Sequence, residues 1–152
     1  MNEPRSIKAA QTALMVTADD TEASFYEALQ LGDLERLMAV WADEHDIACV
    51  HPGGPRAVGV AAIRSSFESV LSQGALHVTI EQVRRLETAT CAVHHVMEKI
   101  QAMTSEGLQT AYILASNVYL RTANGWRMVL HHASPAQPHD MPDVVDLGAT
   151  LH

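Results

Sequence analysis

LHVTIEQVRRL (76–86), TCAVHHVMEKIQAM (90–103), LQTAYILASNVYLRT (108–122) and WRMVLHHAS (126–134) are four successive segments rich in β-branched and aliphatic residues. Only short polar breaks part them, containing Thr88, Ser105-Glu106-Gly107 and Asn124-Gly125. Residues of this kind close tight turns, so the spacing predicts consecutive hairpins in an antiparallel meander. Strands this long must also twist and bend.

The period changes upstream of Gly74. Ile63, Phe67, Val70 and Leu71 mark one face of an amphipathic helix from about Val58 to Gln73. Before it, Asp46 to Val50 reads as a short strand, ended by His51-Pro52-Gly53-Gly54-Pro55, which no regular element absorbs; that loop is a rim or a mouth. Leu34, Leu37, Met38 and Trp41 form the buried stripe of a second helix capped by Asp33. Asp19 with Glu22 reads as a capping box for the first helix, about Asp20 to Leu31, which Gly32 stops.

Helices first and strands afterwards predict an α+β fold, with the N-terminal helices packed in the concave face of a strongly curved antiparallel sheet. The chain divides into an arm over residues 1–18, with a weak helical run from Ile7 to Val16, a domain over 19–135, and an acidic, proline-containing tail over 136–152.

With 152 residues, 47% of them hydrophobic and 18% charged, the chain has the balance of one globular domain. Its net charge of −8 and ten scattered Lys and Arg leave no basic stripe for phosphates, so neither nucleic acid nor a membrane surface is an expected partner. No stretch approaches the roughly 18 apolar residues of a membrane span, and none reads as a signal peptide. Cys49 and Cys91 lie in apolar runs and read as reduced packing residues, which points to the cytoplasm.

The order of elements, with Trp41 near the end of the second helix, His51-Pro52 after the first strand and the closing GWRMVLHHAS of residues 125–134, resembles the nuclear transport factor 2-like superfamily over residues 20 to 135. That superfamily includes ketosteroid isomerase, scytalone dehydratase, polyketide cyclases and the association (hub) domain of calcium/calmodulin-dependent protein kinase. The closing segment looks most like the hub domain and its small bacterial relatives. The resemblance implies a cystatin-like cone, which hosts many chemistries and specifies none. Isomerase chemistry of the ketosteroid kind would need a carboxylate base beside a Tyr; Tyr26 is available, but no strand Asp plays the base.

Nine histidines stand out, with the pairs His94-His95 and His131-His132 inside strands. Neighbours on a strand point to opposite faces, so neither pair chelates a metal as a unit and no metal site is expected. A symmetric Ser105-Glu106 turn sets Asn117 across from His94 on one face. A three-residue Ala123-Asn124-Gly125 loop would align His131 with Asn117, and a two-residue Asn124-Gly125 turn would align His132. The hub resemblance puts His131 and Asn117 on the pocket wall. Glu98 shares the His94 face about 13 Å along the strand, where burial would raise its pKa.

Tyr26 and Trp41 on the helices and His51 at the mouth complete the candidate ligand-binding set of His131, Asn117, His94, Glu98, Tyr26, Trp41 and His51. Each also has a plain structural reading as a hydrogen-bonded or packed core group. His45, His77, His139 and His152 read as solvent residues. No phosphate loop, dinucleotide fingerprint, zinc spacing or serine elbow appears, so no cofactor is expected.

The expected function is therefore a small organic ligand held in a partly apolar cone, with a cofactor-free isomerase, dehydratase or cyclase as its active form. The alternative is an oligomerisation or hub module without catalysis. The outer sheet face carries Val93, Met97, Leu114, Val118 and either Leu130 or Val129, apolar enough to predict a homodimer through that face.

Overall fold

A computed structural model describes residues 15–74 and 76–146. Most of the run from Ile7 to Val16, and Leu147 and His152 of the tail, lie outside them. The order is α1 (Ala18–Leu31), α2 (Leu34–Ala39), β1 (Ala48–Val50), β2 (Arg56–Val58), α3 (Val60–Leu71), β3 (His77–Glu87), β4 (Cys91–Thr104), β5 (Gly107–Thr122) and β6 (Gly125–Ala136), then a 3₁₀ turn at Pro138–Asp140.

The first helix starts earlier than Asp19 and Glu22 predicted. Thr17 is the cap: its hydroxyl accepts from the Asp20 N–H at 3.1 Å, and the Asp20 carboxylate accepts from the Thr17 N–H at 3.0 Å. This reciprocal box leaves Glu22 free of capping, and Glu22 turns into the core instead. Gly32, at φ 67°, ends the helix in the left-handed conformation that glycine adopts without strain. Asp33 caps α2 as expected, but α2 stops at Ala39; Trp41 lies beyond it in an isolated parallel bridge to Met128.

The six strands form one sheet in the order β2-β1-β6-β5-β4-β3. β3 to β6 are the expected meander, all antiparallel. Two features of the sheet were not anticipated. The loop after β1 returns as β2, pairing Ala48 with Val58, and α3 begins only after Gly59. A three-residue edge strand is too short to show a period. The β1–β2 hairpin joins the sheet through a parallel pairing of β1 with β6, Cys49 opposite His131, so the sheet is mixed at that end.

Phe25 and Leu29 of α1, with Ile63 and Phe67 of α3, pack onto Ala92, Val96, Ile113, Ala115, Tyr119, Met128 and Ala133 of the sheet. The main core packs on the concave face, where small sheet residues leave room for helical aromatics, while Met97, expected on the open outer face, is itself buried. At the tail, Asp143 reaches back to Arg84 on β3 at 2.6 Å, while Val144 and Val145 are exposed.

Candidate functional site

The register brings the polar groups of the inner face together. Thr104 pairs with Gly107 around Ser105 and Glu106, and this sets His94 opposite Asn117. The β5–β6 turn is neither of the two anticipated. Thr122 pairs with Gly125 around Ala123 and Asn124, which by itself would put Leu130 opposite Asn117. A bulge then adds one residue, so that Tyr119 pairs with Met128 but Val118 with Leu130, and His131 arrives opposite Asn117. His131 is buried and His132 exposed, as are His94 and His95 respectively.

Under α1 these groups form one buried network around two carboxylates. Glu22 Oε2 lies 3.0 Å from His94 Nδ1, accepts from Tyr119 Oη at 2.8 Å, and accepts a longer contact from Asn117 Nδ2 at 3.5 Å. Asn117 Nδ2 also donates to Tyr26 Oη at 2.9 Å, and Tyr26 in turn donates to Glu98 Oε2 at 2.6 Å. Its Oδ1 then accepts from His131 Nδ1 at 2.6 Å, leaving His131 Nε2 4.0 Å from Glu98 Oε2. Asn117 is the hinge of the set, since its amide has both donors and acceptor committed.

Burial dominates the ionisation of the Glu98 side. Loss of solvent raises the Glu98 carboxyl to about 7; the Tyr26 hydrogen bond opposes this rise and the charge of Glu22 adds to it. Loss of solvent also pushes the His131 imidazole down to about 3, with His51 and His132 adding to the effect. The Tyr26 phenol is held well above its ordinary value, first by burial and then by Glu98. A neutral His131 with its proton on Nδ1 therefore presents a lone pair toward a carboxyl that changes charge near neutrality.

Aromatic rings enclose the other side of His131. Phe25 lies 5.2 Å and Phe67 6.5 Å from it, centroid to centroid, and His51 stands edge-on to Phe67 at 4.7 Å. His51 Nε2 is 3.0 Å from Ser66 Oγ, and burial lowers its pKa. Trp41 packs against Phe67, and its indole N–H is buried with no hydrogen-bond partner among the described residues. Cys49 is an inert packing residue, its thiol pushed up to about 12 by burial. His45, His77 and His139 are exposed.

Six of the seven candidate residues are buried between the helices and the inner sheet face and His51 is half-buried beside them, and His94 contacts Glu22, not Glu98. Glu22 and Tyr119 are the two members that sequence reasoning missed. The signal for Glu22 was present: Glu22, Phe25, Tyr26 and Leu29 stand at i, i+3, i+4 and i+7, which puts Glu22 on the buried stripe of α1.

A model of the SnoaL-like domain matches residues 19–138. The chain belongs to the SnoaL-like domain family. This domain sits within the nuclear transport factor 2-like superfamily, whose cystatin-like fold its structural neighbours share. A Thiobacillus denitrificans protein, proposed to be a calcium/calmodulin-dependent protein kinase type II association domain, is 36% identical with a TM-score of 0.74, over 82% of this chain and 98% of that one. A Streptomyces avermitilis protein of the NTF2-like family, proposed to be a dehydratase, is 27% identical with a TM-score of 0.70, over 76% and 91% of the two chains. A cystatin-like protein from Novosphingobium aromaticivorans, 18% identical with a TM-score of 0.65 over 78% and 79%, shows the fold alone. No curated protein matches this SnoaL-like domain. No helix among the described residues is long and apolar enough to cross a membrane.

Proposed function

We propose that this SnoaL-like domain binds a small, partly apolar organic molecule in its cone and moves a proton on it without a cofactor, as in an isomerisation, dehydration or cyclisation. The observation that carries this reading is the Glu98–His131 pair. The two groups are buried, held 4.0 Å apart, and each is anchored from behind, Glu98 by Tyr26 and His131 by Asn117. That separation is too long for a hydrogen bond. It suits one polar atom of a ligand standing between a carboxyl and an imidazole lone pair. Glu98 gives and takes the proton, His131 orients the ligand, and Phe25, Phe67 and Trp41 supply the apolar wall.

The test is a thermal-shift screen against small aromatic, steroid-like, polyketide-like and carboxylate compounds, followed by turnover assays on the hits. A ligand at 100 times its Kd stabilises by ~2.7 kcal/mol. A hit lost in His131→Ala, and a turnover lost in Glu98→Gln with binding kept, is the expected result. A folded protein that binds nothing in the panel favours the second reading.

That second reading is an association module. It is supported by the 36% identical neighbour proposed to be an association domain and by the outer sheet face. There Leu114 remains 37% exposed, among half-buried Val93, Val118 and Leu130, an apolar face suited to a second copy of the chain. Sedimentation of wild type against Leu114→Glu tests it: self-association through this face is weakened by the charge, and an unchanged mass removes the reading.

A further inference from the structure

His94 has no exposed surface, yet both ring nitrogens face carboxylates. On the Nδ1 side, Glu22 is also the acceptor for Tyr119 and Asn117, so it meets the imidazole as an acceptor and Nδ1 carries a proton. Nε2 is the other side of the ring. It faces Glu87 Oε1 at 2.9 Å and Asp19 Oδ1 at 3.9 Å. A ring nitrogen and a carboxylate oxygen at 2.9 Å are joined by a proton or by a metal ion.

We infer that Asp19, Glu87 and His94 form a site for a divalent transition-metal ion of the zinc type, with Glu22 as the positioning residue behind the imidazole. One ligand atom from each of the three lies within 4.8 Å of the others. Ligands about 2.0–2.2 Å from zinc stand about 3 to 3.5 Å apart, and the two distances from Nε2, 2.9 and 3.9 Å, bracket that range. The donors come from three elements, the first turn of α1, the last residue of β3 and the inner face of β4. The β3–β4 register, with Arg85 opposite His94, holds two of those elements together.

Glu22 supplies what metal-bound histidines usually have behind them, a carboxylate that fixes the tautomer and the ring orientation. One imidazole with two carboxylates suits zinc, cobalt or nickel; magnesium and calcium favour oxygen alone. Asp19 and Glu87 are exposed, which leaves the outer side of the ion open to water. Arg85, which bonds Asp19 at 2.9 Å, is 45% exposed and can turn away at little cost. His94 and His95 do not chelate as a pair here, because this site takes one imidazole and draws its oxygens from other elements.

The site rests on no step of the Glu98 chemistry, so its test is read without an assay. The full-length protein, stripped with a chelator, is titrated with Zn²⁺ by calorimetry and with Co²⁺ by visible absorption. The expected result is one equivalent bound per chain, a higher Tm, and cobalt bands of a low-coordinate nitrogen and oxygen site. Glu87→Gln and Asp19→Asn, at exposed positions, keep the fold by circular dichroism and each weakens binding at least ~10-fold, while Glu22→Gln weakens it ~10- to 100-fold. His139→Ala, removing an exposed imidazole beside Asp140, leaves binding unchanged. The inference is overturned if no stoichiometric binding occurs, if binding survives both Glu87→Gln and Asp19→Asn, or if it disappears with His139→Ala. In each of those cases His94 and Glu87 are joined by a proton.

Discussion

Glu22 and Glu98 are carboxylates in the same core, each buried and each beside a histidine, but they are built for different work. Glu22 is surrounded by His94, Asn117 and Tyr119, whereas Glu98 accepts from Tyr26. A carboxylate that accepts from several donors ties together the strands and helix that carry them and becomes a fixed point of the structure. With fewer, burial wins, and the group is left able to exchange a proton near neutrality. The donors gathered on Glu22 mark the structural half of the network, and the burial that outweighs the Tyr26 hydrogen bond at Glu98 marks the reactive half.

The sharpest way to break this comparison is to remove each acid in turn. Glu22→Leu leaves the Tyr119 hydroxyl and the Asn117 amide without their buried acceptor and is expected to cost about 3–5 kcal/mol in urea unfolding. Glu98→Gln keeps an acceptor for Tyr26 and is expected to cost under about 1 kcal/mol at pH 5. Equal losses would mean that the two acids are equivalent.

The next effect is a pH dependence in which Glu98 and His131 oppose each other. Glu98 rises from its ordinary 4.5 to about 7, so the folded state binds the extra proton in that window, and stability is lost as pH rises through it. His131 falls from 6.5 to about 3, so the unfolded state binds the extra proton there, and stability is lost as pH falls. Relative to wild type, Glu98→Gln should gain on the order of 3 kcal/mol between pH 4.5 and 7. His131→Gln should gain in the opposite direction, as pH falls from 6.5. Denaturant midpoints across pH check both, and difference curves of the same sign would refute the assignment.

The meander and its inner face were legible because alternation and turn residues act locally, and the Ser105-Glu106 turn alone fixes His94 opposite Asn117. His131 was reached by a route that sequence does not display, since a short turn and the bulge at Val129 offset one another. Glu22 was hidden by a rival local reading as a capping residue, and only the Thr17–Asp20 box released it. β2 and the parallel β1–β6 pairing depend on partners distant in the chain, where no local period reports.

A smaller effect lies at the link between the two halves. Tyr26→Phe removes the donor to Glu98 and the acceptor for Asn117, at an expected cost of about 1–2 kcal/mol. Because that hydrogen bond holds the Glu98 pKa down, its loss should move the Glu98 titration upward. Carbon-13 NMR of the glutamate carboxyls reads the direction, and a downward shift would show that Tyr26 does not act on the ionised form.

The smallest effect belongs to the opposite face of the same strands. His95 and His132 flank Ser116 on the outer side, one residue from His94 and His131, and His95 meets only the Ser116 hydroxyl among the hydrogen bonds described. An exposed imidazole there keeps water as an alternative partner, so His95→Ala and His132→Ala should each change stability by no more than about 0.5 kcal/mol. The same substitution at His94 leaves Glu22 short of a donor inside the core and should cost several times more. Unfolding of the single alanine variants at His94, His95, His131 and His132 in one buffer compares neighbours that share a backbone and differ only in facing direction. A large loss at His132 would mean that the outer face is covered in solution, as self-association through that face requires.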